Sequence, residues 1–269
     1  MGSTFADLAF WFLSLVGLTL GQLFVCGLLI RICSQLFSRL VGRHAWIILD
    51  ITSAVGTPVH ELGHALMCLP FLHKITKMRL WKPHPSDGLY GYVEHTYRKR
   101  NPWARLGNLF IGLGPLFSGL GVVVLALWLC FPDLWQAYLV HTGELVYAGE
   151  VPVKELFRGV FALFGGFPAA FRENRLRSLA GLLIILSVCL HITLSWADVK
   201  NSLSALPLYL LLLAVFSAAT YFHAPARTAV FEELALFNIR LSALFGLCIC
   251  FALCWTALGF LIRLLKLIF

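Results

Sequence analysis

Charge is what this chain has least of. Lys, Arg, Asp and Glu make up 13% of its 269 residues, about half the share of a soluble globular domain. That shortage excludes a water-exposed surface over most of the chain. Other absences narrow the field. The eight cysteines contain no C-x-x-C pair and lie mostly in apolar segments, which argues against a thiolate metal site or a disulfide framework and makes them small buried hydrophobes. No nucleic-acid-binding pattern, internal repeat or low-complexity tract is present. The first apolar run has no basic segment before it and is too long for a signal-peptide core, so it is expected to be a retained membrane helix.

What fills the chain is apolar: 59% hydrophobic residues and a mean hydropathy of +0.84. Several runs approach the roughly 20 residues that carry a helix across a bilayer. The expected fold is an all-α polytopic membrane protein with about six transmembrane helices and a small membrane-associated β-hairpin, in one membrane-embedded domain. Its expected spans are 5–32, 45–72, 103–131, 177–201, 206–222 and 236–265. Between them lie a basic hairpin loop at 73–102 and a connector at 132–176 holding an interfacial helix that ends at Gly165-Gly166. The net charge of +8 is spread over short polar loops, so the lipid bilayer with its anionic headgroups is the expected partner, and nucleic acid is not.

The second span holds His60-Glu61-Leu62-Gly63-His64. On a helix, residues i and i+4 share a face, so both imidazoles can reach one metal ion, and Glu61 is placed to handle the proton of a water beside it. Asp50, Ser53, Thr57, His60 and His64 recur at spacings of three and four, one polar face expected to turn into the bundle. Pro58 removes a backbone donor just before the motif.

After the motif, Lys74 to Trp81 alternates in polarity, Pro83 to Gly88 is rich in turn residues, and Leu89 to Tyr97 is aromatic and β-branched. This predicts a hairpin beside the membrane. Its edge around Gly91, Tyr92 and Val93 could bind an extended peptide. The third span carries Gly107, Gly112, Gly114, Gly119 and Gly121 at near-helical spacing, which predicts close helix packing. There Asn108 could hydrogen-bond a substrate backbone. A catalytic zinc usually takes three protein ligands. His191 and Asp198 both fall late in the fourth span, which on alternating crossings runs in the same direction as the second. His191, Ser195 and Asp198 are spaced as one helical face. Depth favours His191 if that helix is continuous, and a break before Asp198 would turn the carboxylate inward instead.

The HELGH motif inside a membrane span, the basic β-like loop after it and the Gly112-x-Gly114-Pro115 helix together resemble the site-2 protease (M50-type) family of intramembrane zinc metalloproteases. The tract His191 to Lys200 resembles one found in small bacterial members without a PDZ domain. This resemblance, over about residues 45–205, implies zinc held by His60, His64 and Asp198. His191 stays as the alternative third ligand or as a partner behind the ligands. It also implies Glu61 as the catalytic base, a membrane-inserted or membrane-adjacent protein or peptide as substrate, and a bacterial cell membrane with the site opening toward the cytoplasm. The family's aspartate is followed by glycine after an Asn-Pro stretch, whereas Asp198 is followed by Val199. The Lys74–Arg105 cluster also favours the cytoplasmic side, and cysteine accessibility at position 99 reads that orientation directly. The sequence carries no signal of oligomeric state. Two readings from other classes compete. A non-catalytic zinc-binding membrane protein or metal transporter leaves Glu61 without a role. A di-iron oxidase needs adjacent histidines, and none of the nine here are adjacent.

Overall fold

The structure, a computed structural model, describes residues 2–42, 45–86, 88–147 and 153–268. It is mostly helical. In chain order the helices are α1 (Gly2–Val16), α2 (Gln22–Val41), α3 (Ala45–Cys68), α4 (Pro102–Cys130), α5 (Pro132–Tyr147), α6 (Val153–Glu173), α7 (Arg175–His191), α8 (Trp196–Tyr221) and α9 (Ala224–Ile268). A π-helical turn, Gly17–Gly21, joins α1 to α2, and one antiparallel hairpin, β1 (Lys74–Arg79) with β2 (Tyr92–Thr96), follows α3. Among the described residues, four helices are long and apolar enough to cross a membrane: Thr4–Val41, Pro102–Cys130, Trp196–Tyr221 and Ala224–Lys266. That fits a multi-pass chain with fewer spanning helices than the six expected. The polar face of α3 lowers its hydropathy, and α7, at 17 residues, is short.

The polarity of α3 points to lipid as its solvent. It buries Asp50, Ser53, Thr57, Glu61 and His64 and exposes Ile47, Ile51, Val55, Leu62 and Leu66. In water the hydrophobic effect would drive the opposite arrangement. The helix continues through Pro58.

Helix α4 is the central post of the bundle, starting at Pro102 with Asn101 as its N-cap. Its pairings run in one direction from end to end. Phe131 and Cys130 lie against Gly181, Gly119 against Ile192, Gly112 against Ser202, and Asn108 against Ser204. Thus α7 and α8 form a single broken path antiparallel to α4. The expected spans 177–201 and 206–222, taken as two opposed crossings, are corrected accordingly: the helix breaks at 192–195 and then runs unbroken from Trp196 to Tyr221. A carboxylate bonded to the free N–H groups of a new helix is worth more than its place in a continuous one, and Ser195 with Asp198 supplies such a pair.

The last helix also runs differently from expectation. Gln22 donates to the Asn238 carbonyl, Thr256 to Cys33, and Lys266 to Val41. Helix α9 is therefore parallel to α1–α2, and its basic end lies beside the end of α2. The 132–176 connector folds as two helices. Helix α6 continues past Gly165-Gly166 to Glu173 and packs Val160, Leu163 and Phe167 into the main core. The cysteines are all free thiols.

Candidate metal centre

Three close approaches build the site. A Cβ added to Gly114 would stand 2.5 Å from the Gly63 carbonyl oxygen, so only glycine lets α4 touch α3 within the His-Glu-x-x-His turn. A Cβ on Gly112 would stand 2.5 Å from the Asp198 carbonyl oxygen. Gly119 takes Ile192 in the same way. These contacts are the predicted small-residue packing, and they bring α3 and the start of α8 onto one side of α4.

There the side chains of His60, His64 and Asp198 converge, with ligand atoms all within 4.8 Å of one another. His64 Nε2 lies 3.3 Å from His60 Nε2 and 3.2 Å from Asp198 Oδ1, and His60 Nε2 lies 3.8 Å from Asp198 Oδ2. For bonds of about 2.0–2.1 Å in a tetrahedral site, neighbouring ligand atoms stand roughly 3.3 Å apart. The triangle is close to that size.

The protons also fit. His60 Nδ1 lies 3.0 Å from the His191 carbonyl oxygen, and His64 Nδ1 lies 2.7 Å from that of Ile111. A carbonyl can only accept, so each Nδ1 carries the hydrogen, and in its neutral form each ring turns an Nε2 lone pair to the centre. A carboxylate oxygen completes the set. Three acceptors facing one another repel unless a cation lies among them, and backbone carbonyls behind the histidines are the usual supports of metal ligands. This cluster can hold a metal ion.

Asp198 is aimed by the new helix. Its Oδ2 accepts the Ser195 N–H at 2.7 Å, while its own N–H donates to Ser195 Oγ at 3.1 Å. That capping box satisfies two N–H groups that a starting helix leaves unpaired, and it leaves Oδ1 toward His64. The expected shared face of His191, Ser195 and Asp198 is not formed, because the helix breaks between them. His191 instead acts through its backbone. Its ring packs on Gly56, and its Nε2 lies 3.0 Å from Thr52 Oγ1. The Thr52 hydroxyl donates to the Ile48 carbonyl, so the imidazole is the donor to Thr52.

The break is stitched to its neighbours. Carbonyls freed at the end of α7 would be orphans in a bilayer. The Leu190 carbonyl accepts from Ser34 Oγ, His191 from His60 and from Thr193 N–H, and Leu194 from Arg31 Nη1. The carbonyls of Ile111 and His191, and Arg31, are site supports with no signature in the sequence.

Glu61 is buried, and the hairpin lies against it. A Cβ on Gly91 would stand 2.7 Å from Glu61 Cγ and 2.8 Å from Thr57 Cγ2. Tyr92 and Val93 follow on β2, opposite Arg79 and Met78. The hairpin loop is tied back to the first turns of α3. His84 meets both carboxylate oxygens of Asp50, through its N–H at 2.8 Å and its Nδ1 at 2.9 Å, and Trp81 Nε1 donates to Ser53 Oγ at 2.9 Å. The polar face of α3 thus divides. Asp50 and Ser53 hold the hairpin, and His60 and His64 enter the cluster. Asn108 is buried, with its amide nitrogen near Tyr97 Oη at 2.8 Å and Ser204 Oγ at 3.3 Å. Its donors are therefore spent on the protein. At the hairpin base His73 Nε2 donates to the Ala104 carbonyl, and His73 Nδ1 lies 2.8 Å from His95 Nδ1. Burial, with help from the nearby His73 and His64, pushes the His95 pKa down to about 4.

Comparison with models of known protein families, with curated proteins and with solved structures finds no match to this chain.

Proposed function

We propose that this protein is an intramembrane zinc metalloprotease in which His60, His64 and Asp198 hold the ion and Glu61 is the catalytic base. The observation that carries the reading is the convergence of two imidazole Nε2 atoms from one turn of α3 and one carboxylate from the start of α8, with Glu61 inside that turn. The donor set, two imidazoles and one carboxylate, suits zinc and leaves a fourth position open. A zinc ion held there supplies Lewis acidity toward water and toward a peptide carbonyl.

The chain's own groups carry the rest. Glu61 takes the proton of the water as its oxygen attacks the scissile carbonyl carbon. It returns that proton to the amine nitrogen as the C–N bond breaks. Gly91 lets the hairpin backbone itself lie against Glu61, and Tyr92 and Val93 continue the strand beside which an extended substrate backbone would align. A helical substrate hides its peptide bonds, so the substrate segment must be extended here. The fold's apolar exterior makes a membrane-inserted or membrane-adjacent peptide the natural class.

The test is Glu61→Gln in the detergent-purified full chain, with zinc measured by mass spectrometry and cleavage followed on single-span peptides in vesicles. The expected result is near-normal zinc with cleavage abolished. Unchanged cleavage in the variant, or a wild-type protein that binds no zinc, overturns the assignment.

A further inference from the structure

A second polar recess lies behind the metal cluster, on the far side of the helix break. It is a cavity of about 410 Å³ lined by Arg31, Ser34, Gln35, Ser38, Arg39 and the backbone segment Thr193–Ser195. The α2 residues fall at i, i+3, i+4, i+7 and i+8, one helical face. Gln35, Arg39 and Ser195 are exposed, so the recess opens to the outside of the bundle.

Its chemistry is one-signed. Among the described residues two guanidiniums line it and no carboxylate does. Among the described residues neither arginine forms an ion pair. An ionisable residue on a membrane helix is costly and marks a partner that compensates it. The neutral groups bring no opposite charge. Ser34 and Ser38 give their hydroxyl hydrogens to the carbonyls of Leu190 and Ser34, and Arg31 gives one N–H to Leu194. What remains faces the recess as donors: the other N–H groups of Arg31, the whole of Arg39, the Gln35 amide, and the Thr193 and Ser195 hydroxyls. Arginine's planar fork matches phosphate oxygens.

We propose that this recess binds one phosphate group, held between Arg31 and Arg39, drawn either from the headgroup of an acidic phospholipid or from free inorganic phosphate. The two arginines are two helical turns apart, about 12 Å, with Arg39 near the end of α2 and Arg31 deeper. A phosphate entering from the headgroup layer meets Arg39 first and settles against Arg31. The site needs neither zinc nor proteolysis, and its test reads binding alone.

The experiment uses the full chain in detergent, by native mass spectrometry with added phosphatidylglycerol or phosphatidylcholine and by calorimetry with inorganic phosphate. Among the described residues Arg39 makes no hydrogen bond that its loss would break, so Arg39→Gln should fold. Arg31→Gln is the second variant, and Arg263→Gln, an exposed arginine on α9 outside the recess, is the charge-matched control. We expect phosphatidylglycerol to bind and phosphatidylcholine not to. Affinity should fall on the order of tenfold in Arg39→Gln, the scale of one charged hydrogen bond, and stay unchanged in Arg263→Gln. Binding of inorganic phosphate but not of phosphatidylglycerol, with the same arginine dependence, assigns the site to free phosphate. Equal loss in the control, no loss in Arg39→Gln, or no binding of either probe overturns the proposal.

Discussion

Replacing Gly112 by alanine perturbs the metal cluster without touching a ligand. The added Cβ would stand 2.5 Å from the Asp198 carbonyl oxygen, about 0.9 Å short of ordinary contact. Ser202 Oγ, which also meets this Cβ, can rotate away, but a backbone carbonyl cannot. The start of α8 must therefore shift by several tenths of an ångström, carrying Asp198 with it. A metal site tolerates errors of about 0.2 Å in its ligand distances. Fold stability should fall without being lost. Alanine gains about 1 kcal/mol over glycine inside a helix, against an overpacking cost of about 1–3 kcal/mol, for a net loss of about 2 kcal/mol at most. Zinc affinity should fall about 10- to 100-fold, the range seen when ligand supports are disturbed. The assay is zinc retention during titration with a competing chelator, with thermal unfolding of the metal-free protein in parallel. Gly121→Ala is the internal control, because a Cβ there meets nothing within 4 Å, and it should keep full affinity. Wild-type zinc affinity in Gly112→Ala would refute the claim that this contact positions Asp198.

Three further outcomes follow from the same geometry. Gly91→Val should abolish cleavage while leaving zinc bound, since its Cβ would meet Glu61 and Thr57 rather than a ligand; cleavage at the wild-type rate would remove the hairpin edge from the substrate path. Asp198→Ala should lose zinc outright. His191→Ala should keep it with affinity reduced less than tenfold, because the carbonyl that His60 uses survives the substitution, and the two zinc contents measured side by side decide between ligand and support. Lowering the pH should loosen the hairpin. With the His95 pKa at about 4 in the fold and near 6.5 when exposed, the detached hairpin binds the extra proton. The contribution of His95 is therefore complete above pH 6.5 and is lost progressively toward pH 4. Hydrogen exchange of β2 amides should accelerate over that window, and His95→Gln should flatten the response.

Much of the site was legible in the sequence because its signals are local. Two histidines four apart and a polar face at helical spacing need only one helix to acquire meaning, and the alternation after Lys74 needs only one hairpin. The third member of the cluster was harder. Ile192-Thr193-Leu194-Ser195 contains no glycine or proline, so the break between α7 and α8 hides in a periodic reading. The signal that could have exposed it is Ser195-x-x-Asp198, a capping pair. Direction was misjudged for the same reason, since a path that breaks without turning back makes every later helix count wrong by one. Supports supplied by backbone carbonyls, such as those of Ile111 and His191, are invisible in principle to side-chain patterns.

The stitched break has a consequence for how this protein can change. Ser34 and Arg31 on α2 and His60 on α3 fasten to three carbonyls within five residues, at separations of 131 to 163 along the chain. Helix α2 contributes nothing to the cluster itself, yet it is not free to drift. A substitution that removed the Ser34 hydroxyl would take its donor from the Leu190 carbonyl and loosen the strut that presents Asp198. Tolerated variation at positions 31 and 34 should therefore come paired with compensating variation at 190–195. In a set of natural variants, that correlated drift would trace the strut independently of the three cluster residues.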